Sequence, residues 1–141
     1  MQEVKTLNIQ IDQGGYTPTR AHEDDAGLDL YSPVSIYLWP HTMQTIDTGV
    51  HIEILKGYFG EVKSRSSMMK NFIITDGTID SGYTGSIKVV LMNLGGSGKQ
   101  IEAGEKIAQL VIQPIITPKI NIVDRLNETE RGERGFGSTG K

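Results

Sequence analysis

Asp80 stands at a bend inside "TDGTIDSGYTGS" (residues 75–86), bracketed by Gly77, Gly82 and Gly85. A carboxylate in that position is able to take a proton from water as a general base. It also has the ordinary role of an Asp in a turn. Three glycines let a ligand approach main-chain groups closely and offer those groups to a base edge. Ile79 and Tyr83 line the predicted short hairpin, and the Tyr83 ring is placed to lie against a sugar. Anion chemistry is written elsewhere. "KSRSSMMK" (63–70) joins Arg65 to Ser66 and Ser67 at a predicted helix start, where free N–H groups, a guanidinium and hydroxyls form an anion cradle. Gln109 is a polar residue inside the apolar run "AGEKIAQLVIQP" (103–114), set either to pair with neighbouring backbone or to donate to a phosphate. Asp29 lies between apolar residues in "AGLDLY", where a carboxylate needs a partner; Mg2+, met directly or through water, is one. Glu23, Asp24 and Asp25 beside it read as a solvated acidic turn.

The end of the chain, "RGERGFGSTGK" (131–141), combines Arg131, Phe136, Gly137, Ser138 and Thr139. Glycines at positive φ present successive N–H groups as an anion nest, and an aromatic face can cover a base. Two other patterns carry no such chemistry. "GGSGK" (95–99) lacks both the upstream glycine and the following hydroxyl of a phosphate loop, because Asn93 and Gln100 occupy those places; it reads as a hairpin turn. His22, His41 and His51 have no ligand spacing, which argues against a zinc centre and gives them surface or structural roles.

Short strands must hold these groups. Leu7, Ile9 and Ile11 share a parity, as do Val34, Ile36 and Leu38, and Val50, Ile52 and Ile54. "SIKVVLMN" (86–93) and "KIAQLVIQP" (106–114) suit buried strands, and glycine or proline turns separate the runs. Only residues 66–71 resemble a helix, with Ser66 as its expected cap. The fold class expected is all-β, a sandwich or barrel with one short helix. The 141 residues suffice for one domain, and 17 glycines without a period suit a turn-rich β protein. A net charge of −3 argues against a general nucleic-acid or membrane surface. The absence of cysteine excludes disulfides and thiolate metal sites, and no apolar run reaches the ~18 residues of a membrane helix. With no signal-peptide pattern at the N-terminus, a cytoplasmic location is expected.

In order, "AGLDLYSP", "KSRSSM", "GTIDSGYTG", "GEKIAQLVIQP" and "RGERGFGSTG" resemble the five motifs of the trimeric dUTPases, over residues 26–140. The resemblance implies a distorted jelly-roll-like β-barrel over residues 1–125 and a C-terminal arm over 126–141. It implies a homotrimer whose arms are exchanged to close sites built between subunits. The implied reaction is hydrolysis of dUTP to dUMP and pyrophosphate with Mg2+, which keeps uracil out of DNA and supplies dUMP for thymidylate synthesis. By motif, Asp80 is the base toward water at the α-phosphorus, and Tyr83 packs under the deoxyribose. Gly77, Thr78 and Ile79 read the uracil, and Lys88 matches a nucleotide-associated position. Arg65, Ser66, Ser67 and Gln109 hold phosphates, and Asp29 holds the Mg2+ shell through water. In the arm, Arg131, Gly137, Ser138 and Thr139 grip the γ-phosphate and Phe136 covers the uracil. Three departures stand out. "ITDG" (74–77) replaces the usual Asn-x-Pro-Gly, Ser67 replaces a frequent Gly, and Arg134 replaces another. The related dCTP deaminases need a Glu in the strand after the Asp bend, and residues 86–93 contain no acid. Some family members contact regulatory proteins, but no inserted segment between the motifs suggests one here.

Overall fold

A computed structural model describes residues 6–137. Eleven strands and one helical turn follow one another: β1 (Asn8–Ile11), β2 (Gly27–Tyr31), β3 (Ile36–Leu38), β4 (Met43–Asp47), β5 (Val50–Glu53), β6 (Tyr58–Lys63), α1 (Ser66–Met69), β7 (Ile73–Ile74), β8 (Asp76–Ile79), β9 (Lys88–Asn93), β10 (Lys99–Ile101) and β11 (Lys106–Pro114). The chain is nearly all β, as the alternation requires. Val50, Ile52 and Ile54 are all buried, and so are Val89 and Leu91 on one face of β9. Each such side chain contributes about 1.5–3 kcal/mol when fully withdrawn from water.

The strands pair antiparallel in four sheets. One has the order β2-β11-β6-β8, a second β4-β9-β7, and two are the pairs β1-β5 and β10-β3. The long β11 runs down the first sheet, flanked on both sides, so that Asp29, Gln109, Lys63 and Asp76 stand abreast across its four strands. This row positions the anion-binding residues.

Four local expectations are corrected. Val34 is exposed in the turn that precedes β3, where the Ser32 hydroxyl donates to the Val34 carbonyl at 2.6 Å, and the strand starts only at Ile36. The helix is capped by Arg65, whose side chain makes no cap hydrogen bond, because the chain enters one residue before Ser66 in extended conformation. The 95–99 turn is not a hairpin: β9 pairs with β4 and β7, whereas β10 pairs with β3. A buried Asn93 organises that crossing, donating to Leu38 and Ser97 carbonyls at 3.2 and 2.9 Å and accepting from the Gly95 amide at 3.0 Å. Residues 75–86 are not a self-paired hairpin either, since β8 forms its ladder with β6.

Beyond β11 the Ile115 amide bonds to the Gly57 carbonyl at 2.9 Å, the last such main-chain tie to the body among the described residues. Every residue from 114 to 137 is exposed. Ile116, Ile120, Ile122 and Leu126 are each more than four-fifths exposed on this segment.

Candidate functional site

Two cavities collect most of the residues singled out above. The first, about 250 Å3, is lined by Val62, Gly77, Thr78, Ile79, Asp80, Tyr83, Ser86, Ile87 and Lys88. Strand β8 forms one wall. It is an edge strand: one side pairs with β6, and the other has no ladder partner among the described residues. Its outward main-chain groups therefore face the cavity as a donor–acceptor strip. Asp80 caps the strand end, exposed, with its carbonyl accepting the Tyr83 amide at 3.2 Å.

The Tyr83 ring is fixed from below. Its hydroxyl donates to the Ser86 carbonyl at 2.9 Å, and the ring lies directly over Gly85. A Cβ on Gly85 would stand 2.5 Å from the Tyr83 oxygen, so glycine is needed for the approach. The Ser86 hydroxyl in turn donates to Asp47, and the Gly49 amide donates to Ser86 Oγ at 3.1 Å. That hydroxyl, followed by the Gly49 amide, holds the Asp47 carboxyl below the usual carboxylate range.

The second cavity, about 380 Å3, is lined by Ala21, Asp25, Ala26, Gly27, Asp29, Arg65, Ser66, Lys106 and Gln109. Asp29 sits between two cations, 3.5 Å from Arg65 Nε and 3.4 Å from Lys106 Nζ, with its side chain 17% exposed. Arg65 also donates to Ser67 Oγ at 3.2 Å. The Gln109 amide donates to the Ser64 carbonyl at 3.0 Å, and its oxygen side crowds Gly27, where any Cβ would collide with it. Glycine at 27 thus lets the amide lie flat against β2. Two cations flank Asp29, and Asp25 is a second carboxylate on the wall, so the cavity offers cations, a hydroxyl and an amide beside two acids.

The structure brings Gly77–Lys88 residues together and Asp29, Arg65, Ser66 and Gln109 together, but in separate cavities. Arg131 lies on the exposed segment, exchanging bonds with Arg134: each guanidinium Nε donates to the other's carbonyl, at 2.8 and 3.0 Å. Phe136 is fully exposed and Gly137 adopts φ +74. Ser138 and Thr139 lie outside the described residues. Sequence reasoning missed Lys106, although a basic residue heading a motif-bearing strand was a usable signal. It also missed Asp47 and Ser86, whose partnership joins residues 39 apart and leaves no local pattern.

The profile of the dUTPase family matches residues 15–140. The chain belongs to the dUTPase family. A deoxyuridine 5'-triphosphate nucleotidohydrolase of Clostridium novyi is 43% identical over 141 residues, covering 97% of this chain and 99% of that one. Among solved structures, a dUTPase of Staphylococcus bacteriophage 80alpha with dUpNHpp superposes with a TM-score of 0.92 at 31% identity, covering 98% of this chain and 100% of that one. A dUTPase of the S. aureus phage phi11, described with a coordinated structural Mg(II) ion, gives a TM-score of 0.82 at 28% identity, covering 88% and 100%. The two cavities differ in chemistry: a strand edge and an aromatic ring in one, cations and a hydroxyl in the other.

Proposed function

We propose that this chain hydrolyses dUTP to dUMP and pyrophosphate, with Asp80 as general base toward water at the α-phosphorus. The observation that carries the reading is the first cavity, where the free edge of β8 ends in an exposed carboxylate beside a fixed tyrosine ring. Uracil presents an acceptor–donor–acceptor edge, which the outward main chain of Gly77, Thr78 and Ile79 can match. The Tyr83 ring, immobilised by Ser86 and Gly85, lies under the deoxyribose and crowds a 2′-hydroxyl. Lys88 supplies a positive charge at the same rim.

In the second cavity Arg65, Ser66, Ser67 and Gln109 take the phosphates. Among the described residues no three His, Cys, Asp or Glu side chains cluster. The carboxylates on the cavity wall are Asp29 and Asp25, too few for a protein cage, and Asp29 fits a hard divalent cation that would be held mainly by substrate phosphates and water. We assign that cation as Mg2+. When bound, it neutralises charge on the departing pyrophosphate. Arg65 and, from the arm, Arg131 share that stabilisation, while Asp80 orients and deprotonates the water.

The two cavities also support a shared site. Asp29 and Asp80 are separated by three strand spacings of about 4.8 Å and four residues of about 3.3 Å, roughly 19 Å in all. A base within hydrogen-bond reach of water at one phosphorus cannot lie that far from the residues that grip the same triphosphate. We therefore place them in neighbouring subunits of a homotrimer with a jelly-roll-like barrel over residues 1–125. Residues 126–141 form the arm, which closes a site with Arg131, Phe136, Gly137, Ser138 and Thr139. The apolar row from Ile116 to Leu126 supplies the reason for docking elsewhere, since it is bare on its own chain. No helix among the described residues is long and apolar enough to cross a membrane, and we propose a cytoplasmic enzyme.

Incubation with dUTP, dCTP, dTTP or UTP and Mg2+, reading pyrophosphate and ammonia, tests the assignment. Pyrophosphate is expected from dUTP alone; ammonia from dCTP, or no turnover, would overturn it. Asp80→Asn is expected to keep dUTP binding while turnover falls about 10²–10⁴-fold, the range for a lost general base.

A further inference from the structure

His51 sits on β5 with both ring nitrogens engaged. Nδ1 is 2.7 Å from the Thr84 carbonyl oxygen, and Nε2 is 3.0 Å from Asp12 Oδ2. Both partners are acceptors only. A neutral imidazole carries one N–H and can satisfy one of them; the imidazolium satisfies both. The geometry is therefore that of the charged ring.

Thr84 is the residue between Tyr83 and Gly85, in the turn that carries the tyrosine platform. Among the described residues, His51 supplies the one side-chain bond that reaches the 81–85 turn from another strand. The other bonds of that turn are internal to 80–86: Tyr83 amide to Asp80, and Tyr83 hydroxyl to Ser86. Asp12 follows β1 and is itself tied to the body, its amide donating to the Gly49 carbonyl at 2.8 Å. The chain of contacts Asp12–His51–Thr84 thus anchors the nucleoside-binding turn to the β1-β5 pair.

We propose that His51 is a positioning residue for the nucleotide: as an imidazolium aligned by Asp12, it holds Thr84 and so fixes the Tyr83 ring. The inference rests on the assignment of the first cavity to the nucleoside half of dUTP. The charged groups that act on the ring are Asp12 after β1 and Asp47 at the end of β4, both favouring the cation; Glu53 on β5 lines the same cavity, and Lys88 at the head of β9 acts on Asp47. The hydrogen bond to Asp12, then that to Thr84, raises the pKa above the ordinary 6.5. The sign follows. The clamp is complete below the ordinary histidine value and is lost as pH rises through the raised one. Above it, a nitrogen lone pair faces an acceptor oxygen, and one of the two bonds must open.

The test pairs two readouts. By NMR, the His51 ring is titrated alongside the amides of Tyr83, Thr84 and Gly85; kinetics give kcat and KM for dUTP over the same pH range. The ring is expected to titrate above 6.5 with the turn amides following at the same midpoint, and Asp12→Asn should move that midpoint down. Across it, KM should rise about threefold to tenfold, the factor one hydrogen bond carries, with kcat changing less than about twofold. His51→Gln should show a KM without that pH step. Turn amides that ignore the His51 titration, or an unchanged KM step in His51→Gln, would overturn the proposal. If dUTP is not turned over at all, the substrate assignment fails, and the NMR titration alone decides the clamp.

Discussion

Gly85→Ala separates the position of the Tyr83 ring from the stability of the fold. A new Cβ would stand 2.5 Å from the Tyr83 oxygen and 2.6 Å from Cζ. Carbon contacts settle at about 3.5–4.0 Å, so the ring tip must retreat by about 1 Å. Gly85 is not among the positive-φ glycines, which means alanine meets no backbone penalty and the whole effect passes through the ring. The ring is 43% exposed and can swing outward. The stability loss is then essentially its bond to the Ser86 carbonyl, about 0.5–1.5 kcal/mol. For a domain of this size that lowers the melting temperature by roughly 4 °C. A displacement of about 1 Å beside the reacting centre costs far more in rate, up to about 100-fold. The expected result is kcat/KM for dUTP reduced about 10–100-fold in a protein that melts almost normally. Steady-state kinetics and differential scanning calorimetry on the same preparation measure both. Wild-type kcat/KM in Gly85→Ala would refute the role given to Tyr83. Tyr83→Phe, which keeps the platform and removes the hydroxyl, should lose only a few-fold.

Truncation after Glu130 should leave a folded body, because the removed residues make no described contact with it, while most dUTP turnover disappears; full activity would return the arm to a solvent-exposed tail. Asp47 gives an acid-side prediction. Its carboxyl is held low by the Ser86 hydroxyl and the Gly49 amide, so its stabilisation is present above the ordinary carboxylate pKa of 3.8 and is lost as pH falls through the lower folded value. Asp47→Asn should therefore be less stable than wild type near neutrality, with the difference closing in acid, as followed by thermal melts across pH. Sedimentation velocity should find a trimer, and dissociation to an active monomer would contradict the shared site.

Local chemistry was legible where one strand decides its own burial. The parity of Val50, Ile52 and Ile54 and the span of β11 could be read directly, because period-2 alternation is a property of the segment alone. Pairing was not legible. Nothing in residues 76–79 says that they join β6 rather than fold back, and the ladder is settled by the sheet that β6 and β11 have already formed. The same holds at the site. Asp29 announced a need for a partner, but that its neighbours are Arg65 and Lys106 depends on β2 lying beside β11. His51 read as structural, which it is, yet its link to Thr84 spans 33 residues. Arg65 took the cap position from Ser66 because main-chain conformation, not side-chain preference, set where the turn begins.

The central place of β11 has a consequence for how the molecule is made. In its sheet β2 has only β11 as a ladder neighbour, and about 80 residues separate Asp29 from Gln109. Closing a loop of that length costs chain entropy of roughly (3/2)RT ln n, near 4 kcal/mol before any contact repays it. Strand β2 is synthesised early, and apart from its bridge to Thr19 its pairing waits for the last strand of the body. Until then Asp29 has no Lys106 to face and Gln109 no Gly27 to lie against. The second cavity therefore cannot be complete before β11 is in place, and an unfinished chain ending before Lys106 lacks the cation and the amide that line it. Folding of such a topology is slow and cooperative.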